Sequence, residues 1–271
     1  MDRADGGGVL MSDRPLRLLY DRRELLAAWT GRLIRARYRQ SILGVLWAIL
    51  QPLGQVAILT IVFTQLVVID TGAVPYVLFC YAGIVPWTLS SGATTEMATS
   101  LVDNMGLVTK IYFPREILPL AVLAARLLDF LIGFVVLALL IGAMGHQGPG
   151  LHWLWLLPLL ATQLAAITGI GLAGAAIQVY YRDVKHLVVL ALQLWFYASP
   201  VIYPVSLVPR AVQPLYFLNP MAGVIEGYRS VLLHGRPPDR LLIVSVLVAL
   251  FLAFAGVRVF RRLEGEFADV I

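Results

Sequence analysis

Residues 42–67 read ILGVLWAILQPLGQVAILTIVFTQLV, 26 positions without one charged side chain. As a helix such a run measures about 39 Å, more than enough to cross a hydrocarbon layer of about 30 Å. A soluble core rarely needs a stretch that long, so this segment decides the class. The rest of the chain agrees: of 271 residues 59% are hydrophobic and 14% charged, and the mean hydropathy is positive. That is well above the apolar share of a soluble domain. The fold class expected is therefore an all-α integral membrane protein, because lipid offers no partner to free backbone N–H and C=O groups. Nine arginines precede the run, which is not how the apolar core of a signal peptide is placed, so the N-terminus is expected to be retained.

Working outward, five more runs are long and apolar enough to be helical spans: 75–101, 117–143, 153–179, 187–203 and 241–260. The fifth is the shortest. Besides the nine arginines before the first run, basic residues fall between the second and third (Lys110, Arg115), between the fourth and fifth (Arg182, Lys185), and at the close of the sixth (Arg258, Arg261, Arg262). The connections after the first and third runs hold none. By the positive-inside rule both termini are cytoplasmic, and an even number of spans agrees. The net charge of +5 is then read as loop charge that sets topology, not as a nucleic-acid surface. The domain reading is a cytoplasmic N-terminus over 1–41, a six-helix membrane domain over 42–262 and a cytoplasmic tail over 263–271.

Three segments between the spans carry more than connection. Before the first, Leu18, Leu25, Leu26, Trp29 and Leu33 recur at helical spacing against Arg22, Arg23, Arg32, Arg35 and Arg39, the pattern of a basic amphipathic helix in the membrane interface. Between the second and third, residues 102–116 mix Leu107, Ile111 and Phe113 with Lys110 and Arg115. From physics alone that loop is either a docking surface for a soluble partner or a segment folded back on the membrane. Between the fifth and sixth, Met221, Val224, Ile225, Tyr228, Val231 and Leu232 follow Asn219-Pro220 at helical spacing. A helix of about 14 residues is too short to span, so it reads as re-entrant or interfacial.

Catalytic chemistry has little to stand on. Gly169, Gly171 and Gly174 form a formal G-x-G-x-x-G, but without a preceding strand, so close helix packing is the reading of those small residues. The two lysines, Lys110 and Lys185, follow no glycine-rich loop, so no P-loop is present. No H-E-x-x-H occurs, and His146, His152, His186 and His234 lie at loops and interfaces. Cys80, the one cysteine, allows no intramolecular disulfide. Inside the spans Arg126 and Asp129 share a helix face, with Glu96 at similar depth. They form a structural ion-pair network, the alternative being an ion or proton relay. Glu226 and Arg229, three apart, are a local pair by default.

Read together, several blocks resemble the membrane permease subunits of bacterial ABC exporters for polysaccharides and polyol phosphates, the O-antigen, capsule and teichoic-acid type with a type-2 transmembrane domain. They are Arg37-Tyr38-Arg39-Gln40-Ser41, LGVLWAILQPL (43–53), LVTKIYFPREILPL (107–120), YYRDVKHL (180–187), QLWFYASPVIYP (193–204) and YFLNPMAGVIEGYRSVLL (216–233). One departure is Gly31-Arg32, where the family commonly has an acidic residue. The resemblance implies a homodimer of six-helix subunits in the bacterial inner membrane, each paired with a separate cytoplasmic ATP-binding cassette subunit. ATP and Mg belong to that partner, and no cofactor to this chain. Contacts with the ATPase would come from Arg37 and Tyr38 on the first helix and from Asn104, Leu107, Lys110, Phe113, Pro114 and Arg115. The cargo implied is a polysaccharide, lipid-linked. Aromatic rings suit the apolar C–H faces of sugars, so Trp195, Phe196, Tyr197 and Tyr203 are path candidates, of which the consecutive three cannot all face one lumen; Tyr81 and Trp87 are secondary candidates or members of an aromatic belt. Pro200 and Pro204 would end the fifth span there. Two other classes are an ion-coupled secondary transporter working through Glu96, Arg126 and Asp129, and a membrane glycosyl- or acyltransferase.

Overall fold

The computed structural model describes residues 23–39, 43–67, 69–108, 110, 113–145, 148 and 150–267. Leu18, Arg22, Gln40, Ser41, Ile111, His146 and the end of the tail at 268–271 lie outside the described residues. Every regular element among them is helical. They are α1 (Arg23–Arg39), α2 (Trp47–Ile61), α3 (Tyr76–Asp103), α4 (Met105–Val108), α5 (Ile117–Ala143), α6 (Leu156–Tyr180), α7 (Val184–Tyr197), α8 (Gln213–Tyr216), α9 (Pro220–His234) and α10 (Leu242–Glu264). Short 3-10 and π turns extend α2 to Gly44–Leu66 and α6 to Leu151–Tyr180.

Five helices are long and apolar enough to cross a membrane: Gly44–Leu66, α3, α5, Leu151–Tyr180 and α10. They coincide with five of the six apolar runs. The run at 187–203 folds differently: the helix begins earlier, at Val184, and ends at Tyr197 after 14 residues, about 21 Å. Pro200 is the reason. A proline has no N–H to extend the ladder and pushes the residue before it out of helical geometry, so residues 198–203 turn instead.

The bundle is organised around α3, most of which is buried, and which α2, α5, α6, α7 and α9 all touch. It is also the least apolar of the five long helices, with Ser90, Thr94 and Ser100 buried along it. A helix surrounded by protein need not match lipid, and its hydroxyls are satisfied by its own carbonyls, as in Ser90 Oγ to Pro86 O and Ser100 Oγ to Met97 O. The lipid-compatible helices lie around it, with exposed rows such as Leu131, Val135 and Leu139 on α5.

Glycines set the closest approach. A Cβ on Gly256 of α10 would run into the Gly169 carbonyl of α6, and one on Gly171 would lie 2.6 Å from the Met97 side chain. The formal G-x-G-x-x-G is thus the face on which α6 meets α10 and α3. The helix expected after Asn219-Pro220 is α9. Asn219 accepts the Met221 N–H at 3.0 Å, Pro220 occupies the first turn, and Gly235 closes the far end at φ +61°. Most of α9 is buried, against α3, α6 and α10.

Candidate functional site

Four charges meet where α1, α3 and α5 converge. Glu96 and Asp129 face Arg126, as their depth in the sequence led one to expect, and the structure adds Arg37 and Tyr38 from α1. Arg37 spans the two acids, with Nη2 on Glu96 Oε2 at 2.5 Å and Nη1 on Asp129 Oδ2 at 2.6 Å. Arg126 bonds the other Glu96 oxygen and reaches Asp129 Oδ2 at 3.4 Å, while the Tyr38 hydroxyl donates to Asp129 Oδ1. All four carboxylate oxygens therefore accept a bond from a guanidinium or phenol. The cluster has no net charge and ties α1 to the bundle. It lines a cleft of about 460 Å³ together with Trp47 and Gln51 of α2.

The resemblance implied that Arg37 and Tyr38 contact the ATPase; within this chain their side chains point into this cluster. Arg37 lies one helical turn after Leu33 and two after Trp29, both packed on the core, but nothing in the sequence separated it from the other arginines of α1.

The aromatic residues sort by burial. Tyr81 is fully buried and Trp87 nearly so, both on α3. Trp87 meets Trp195 edge-on at 5.9 Å and Phe196 at 5.5 Å, so the three form one cluster between α3 and α7. Trp195 and Phe196 are half-buried, and the Trp195 indole N–H donates to Asn219 Oδ1 at 2.7 Å. Tyr197 is 61% exposed. The Tyr203 hydroxyl donates to the Tyr197 carbonyl and shares a hydrogen with Tyr216, each at 3.0 Å, so Tyr216 joins a group that the sequence did not connect to it.

The 102–116 loop divides. Asn104 closes α3 by donating to Ser100 O at 2.9 Å. Lys110 is exposed, with Asp103 and Gly106 exposed beside it, and Leu107 is half-buried. Phe113 is buried. Pro114 is half-buried beside it. Arg115 turns inward, donating to the Glu264 carbonyl at 2.5 Å and lying 5.4 Å over the Phe267 ring, and Glu116 pairs with Arg261 at 3.6 Å. The physical reason is Phe267. It follows the end of α10, packs edge-on against Phe260 and Tyr180, and is fully buried, which makes a nucleus the loop folds onto. Nothing in residues 263–271 shows a helical or strand period, so the sequence did not mark it.

Arg229 and Glu226 form the local pair expected of them, at 4.0 Å, but the pair is not the main hold on the arginine. Its guanidinium is fully buried and donates to backbone carbonyls of Phe79, Pro200 and Val201. Gln163 of α6 is likewise buried, bonding Pro86 O at 2.6 Å and Ser90 Oγ at 3.0 Å, with the Tyr228 hydroxyl donating to its Oε1.

The bundle thus combines a first helix tied in by charge, a 102–116 loop folded on Phe267 and an aromatic turn after α7. The family model for ABC-2 type transporters matches residues 24–233, from α1 through α9. The chain belongs to the ABC-2 type transporter family. Within it the chain is 32% identical over 261 residues to an O-antigen export system permease protein of Myxococcus xanthus, covering 95% of this chain and 99% of that one. It is 27% identical to an O-antigen export system permease protein of Klebsiella pneumoniae over 92% of this chain and 95% of that one. It is 24% identical to a polysialic acid transport protein of Escherichia coli over 82% and 88%. The family match takes in the charge cluster, the Trp195–Tyr197 aromatics and Arg229, while α10 of this ABC-2 chain lies beyond it.

Proposed function

We propose that this chain is the transmembrane subunit of an ATP-driven exporter that moves a lipid-linked polysaccharide across the bacterial inner membrane. The observation that carries this reading is 32% identity to an O-antigen export permease in an alignment covering 95% of the chain. The working unit is a homodimer with two cytoplasmic ATPase subunits, which bind ATP and Mg. Both termini are cytoplasmic, α7 with its following turn makes the sixth crossing, and α9 is re-entrant. With α3 filling the centre of the bundle, a single copy leaves no wide path, so the polymer passes between copies. Lys110 and its exposed neighbours meet the ATPase, and the loop passes its movement to Glu264 and Phe267 through Arg115.

Sugar rings have apolar C–H faces, and aromatic rings bind them weakly enough to allow sliding. Tyr197, Tyr203 and the edge of Trp195 give such a surface at the outer end of α7. Ion coupling through Glu96 and Asp129 has less support, because every oxygen of those carboxylates is already engaged. A strain deleted for this chain should hold its surface polysaccharide on the inner side, and restoring the gene should return it to the surface. Normal surface polysaccharide in the deletion strain would remove the proposal. Trp195→Ala with Tyr197→Ala should cut export about tenfold, or about 1.4 kcal/mol in the rate-limiting step, at unchanged protein level; unaltered export leaves these rings as interface anchors.

A further inference from the structure

Arg229 heads the fully buried side chains of the described residues by volume, at 1% exposure. The nearest ion-pair partner among those residues is Glu226 at 4.0 Å, so the guanidinium is held by backbone. It donates to Pro200 O and Val201 O at 2.6 Å each, to Phe79 O at 3.1 Å and to Tyr203 O at 3.4 Å, and it lies 3.5 Å over the Phe79 ring. The carbonyls of 200–203 belong to the turn that Pro200 forces after α7. That turn has little lattice of its own: Val201 N–H reaches back to Ser199 O at 2.7 Å, and the rest is supplied from α9 and α3. On α3 the Tyr76 hydroxyl donates to Ile202 O at 2.9 Å, and Gly83 provides the space, since a Cβ there would sit 2.7 Å from Val201 O and 2.8 Å from Arg229 Nη2.

An alternative seat for the guanidinium stands beside it. Glu226 Oε2 has no hydrogen-bond partner, although the residue is about one-third exposed on its side chain. A recess of about 340 Å³ lined by Asp70, Phe79, Pro204, Ser206, Glu226 and Arg229 borders both residues. Releasing the turn therefore keeps the cation beside a carboxylate, which offsets the cost that normally fixes a buried charge in place.

We propose that Arg229 is the positioning residue of an outer gate: bound to the carbonyls of 200–203 it holds the exit turn against α3, and it frees the turn by moving onto Glu226. This rests on the exporter reading for what passes the gate, but the gate itself is testable without cargo. Cys80, the chain's one cysteine, is fully buried on α3 next to Phe79 and serves as the reporter. The full chain with its ATPase subunit, in sealed membranes, is exposed from the outer side to a membrane-impermeant maleimide. Wild type should label slowly at rest and at least about tenfold faster during ATP turnover. Arg229→Gln should label fast without ATP. Gly83→Ala, which keeps the arginine and pushes the turn away, should do the same and carries the test if R229Q does not insert. Glu226→Gln, with the alternative seat weakened, should stay slow even during turnover.

Resting rates in R229Q and G83A equal to wild type would overturn the gate, and so would an equal rise with reagent on the inner side, which is general loosening. Failure of the exporter reading shows elsewhere: the wild-type complex would move no polysaccharide while the labelling differences persisted.

Discussion

Glu96 gives one oxygen to Arg37 and the other to Arg126, so a single carboxylate joins three helices. Side-chain exposures of 16–35% in the cluster place it between a solvated pair and a dry one. Glu96→Gln should therefore cost about 1–3 kcal/mol, below the loss from a fully buried pair and above an exposed one. Unfolding of the purified permease in detergent measures it, and Arg37→Ala combined with Glu96→Ala should be non-additive by about 0.5–3 kcal/mol. Additive losses would mean the bonds do not hold α1. Tyr38 allows a pH test. Burial first, and then its bond to Asp129, push the phenol up from 10 to about 12. A group whose folded pKa is raised stabilises the fold fully below pH about 10 and loses that contribution as pH rises through about 12. Relative to wild type, Tyr38→Phe should lack that part of the alkaline loss. The sequence showed Glu96, Arg126 and Asp129 because a charge inside an apolar run stands out. It concealed Arg37, one among many arginines, and Arg229, whose partners are backbone carbonyls from residues far away in the chain.

At the scale of elements, five of the apolar runs became long helices because each is uninterrupted and free of internal breakers strong enough to stop it. Even Pro86 within α3 is carried, with Gln163 and Ser90 bonding its carbonyl. The run at 187–203 had the same composition and folded as a helix and a turn, since apolarity reports burial or lipid and not backbone shape. Helix contact was also legible, in the glycines of α6, although their partner on α10 was not. Gly256→Val should destabilise the permease by about 1–3 kcal/mol or more, because its side chain would enter the Gly169 carbonyl. Gly142→Ala on α5, with no atom within 4 Å of the added Cβ, should be neutral or stabilise by about 0.5–1 kcal/mol. Similar losses at both sites would contradict close α6–α10 contact.

For the whole molecule, composition sufficed for the class and the succession of blocks for the family, while the way the two ends connect needed coordinates. The 102–116 loop folds on Phe267, and the turn after α7 is held by Arg229, so each of these segments is fixed by a residue distant in sequence. Lys110, exposed on the inner loop, tests the partner face: Lys110→Glu should weaken association with the ATPase subunit about tenfold, with stability changed by less than about 0.5 kcal/mol. Equal affinity would move that contact elsewhere. The central claim is that ATP hydrolysis on a separate subunit drives a polysaccharide past this chain. It is tested most directly in vesicles that hold the permease with and without its ATPase, by measuring transfer of the lipid-linked polymer across the membrane. ATP-dependent transfer only when both subunits are present is the predicted result. Transfer by the permease alone under an ion gradient would contradict it.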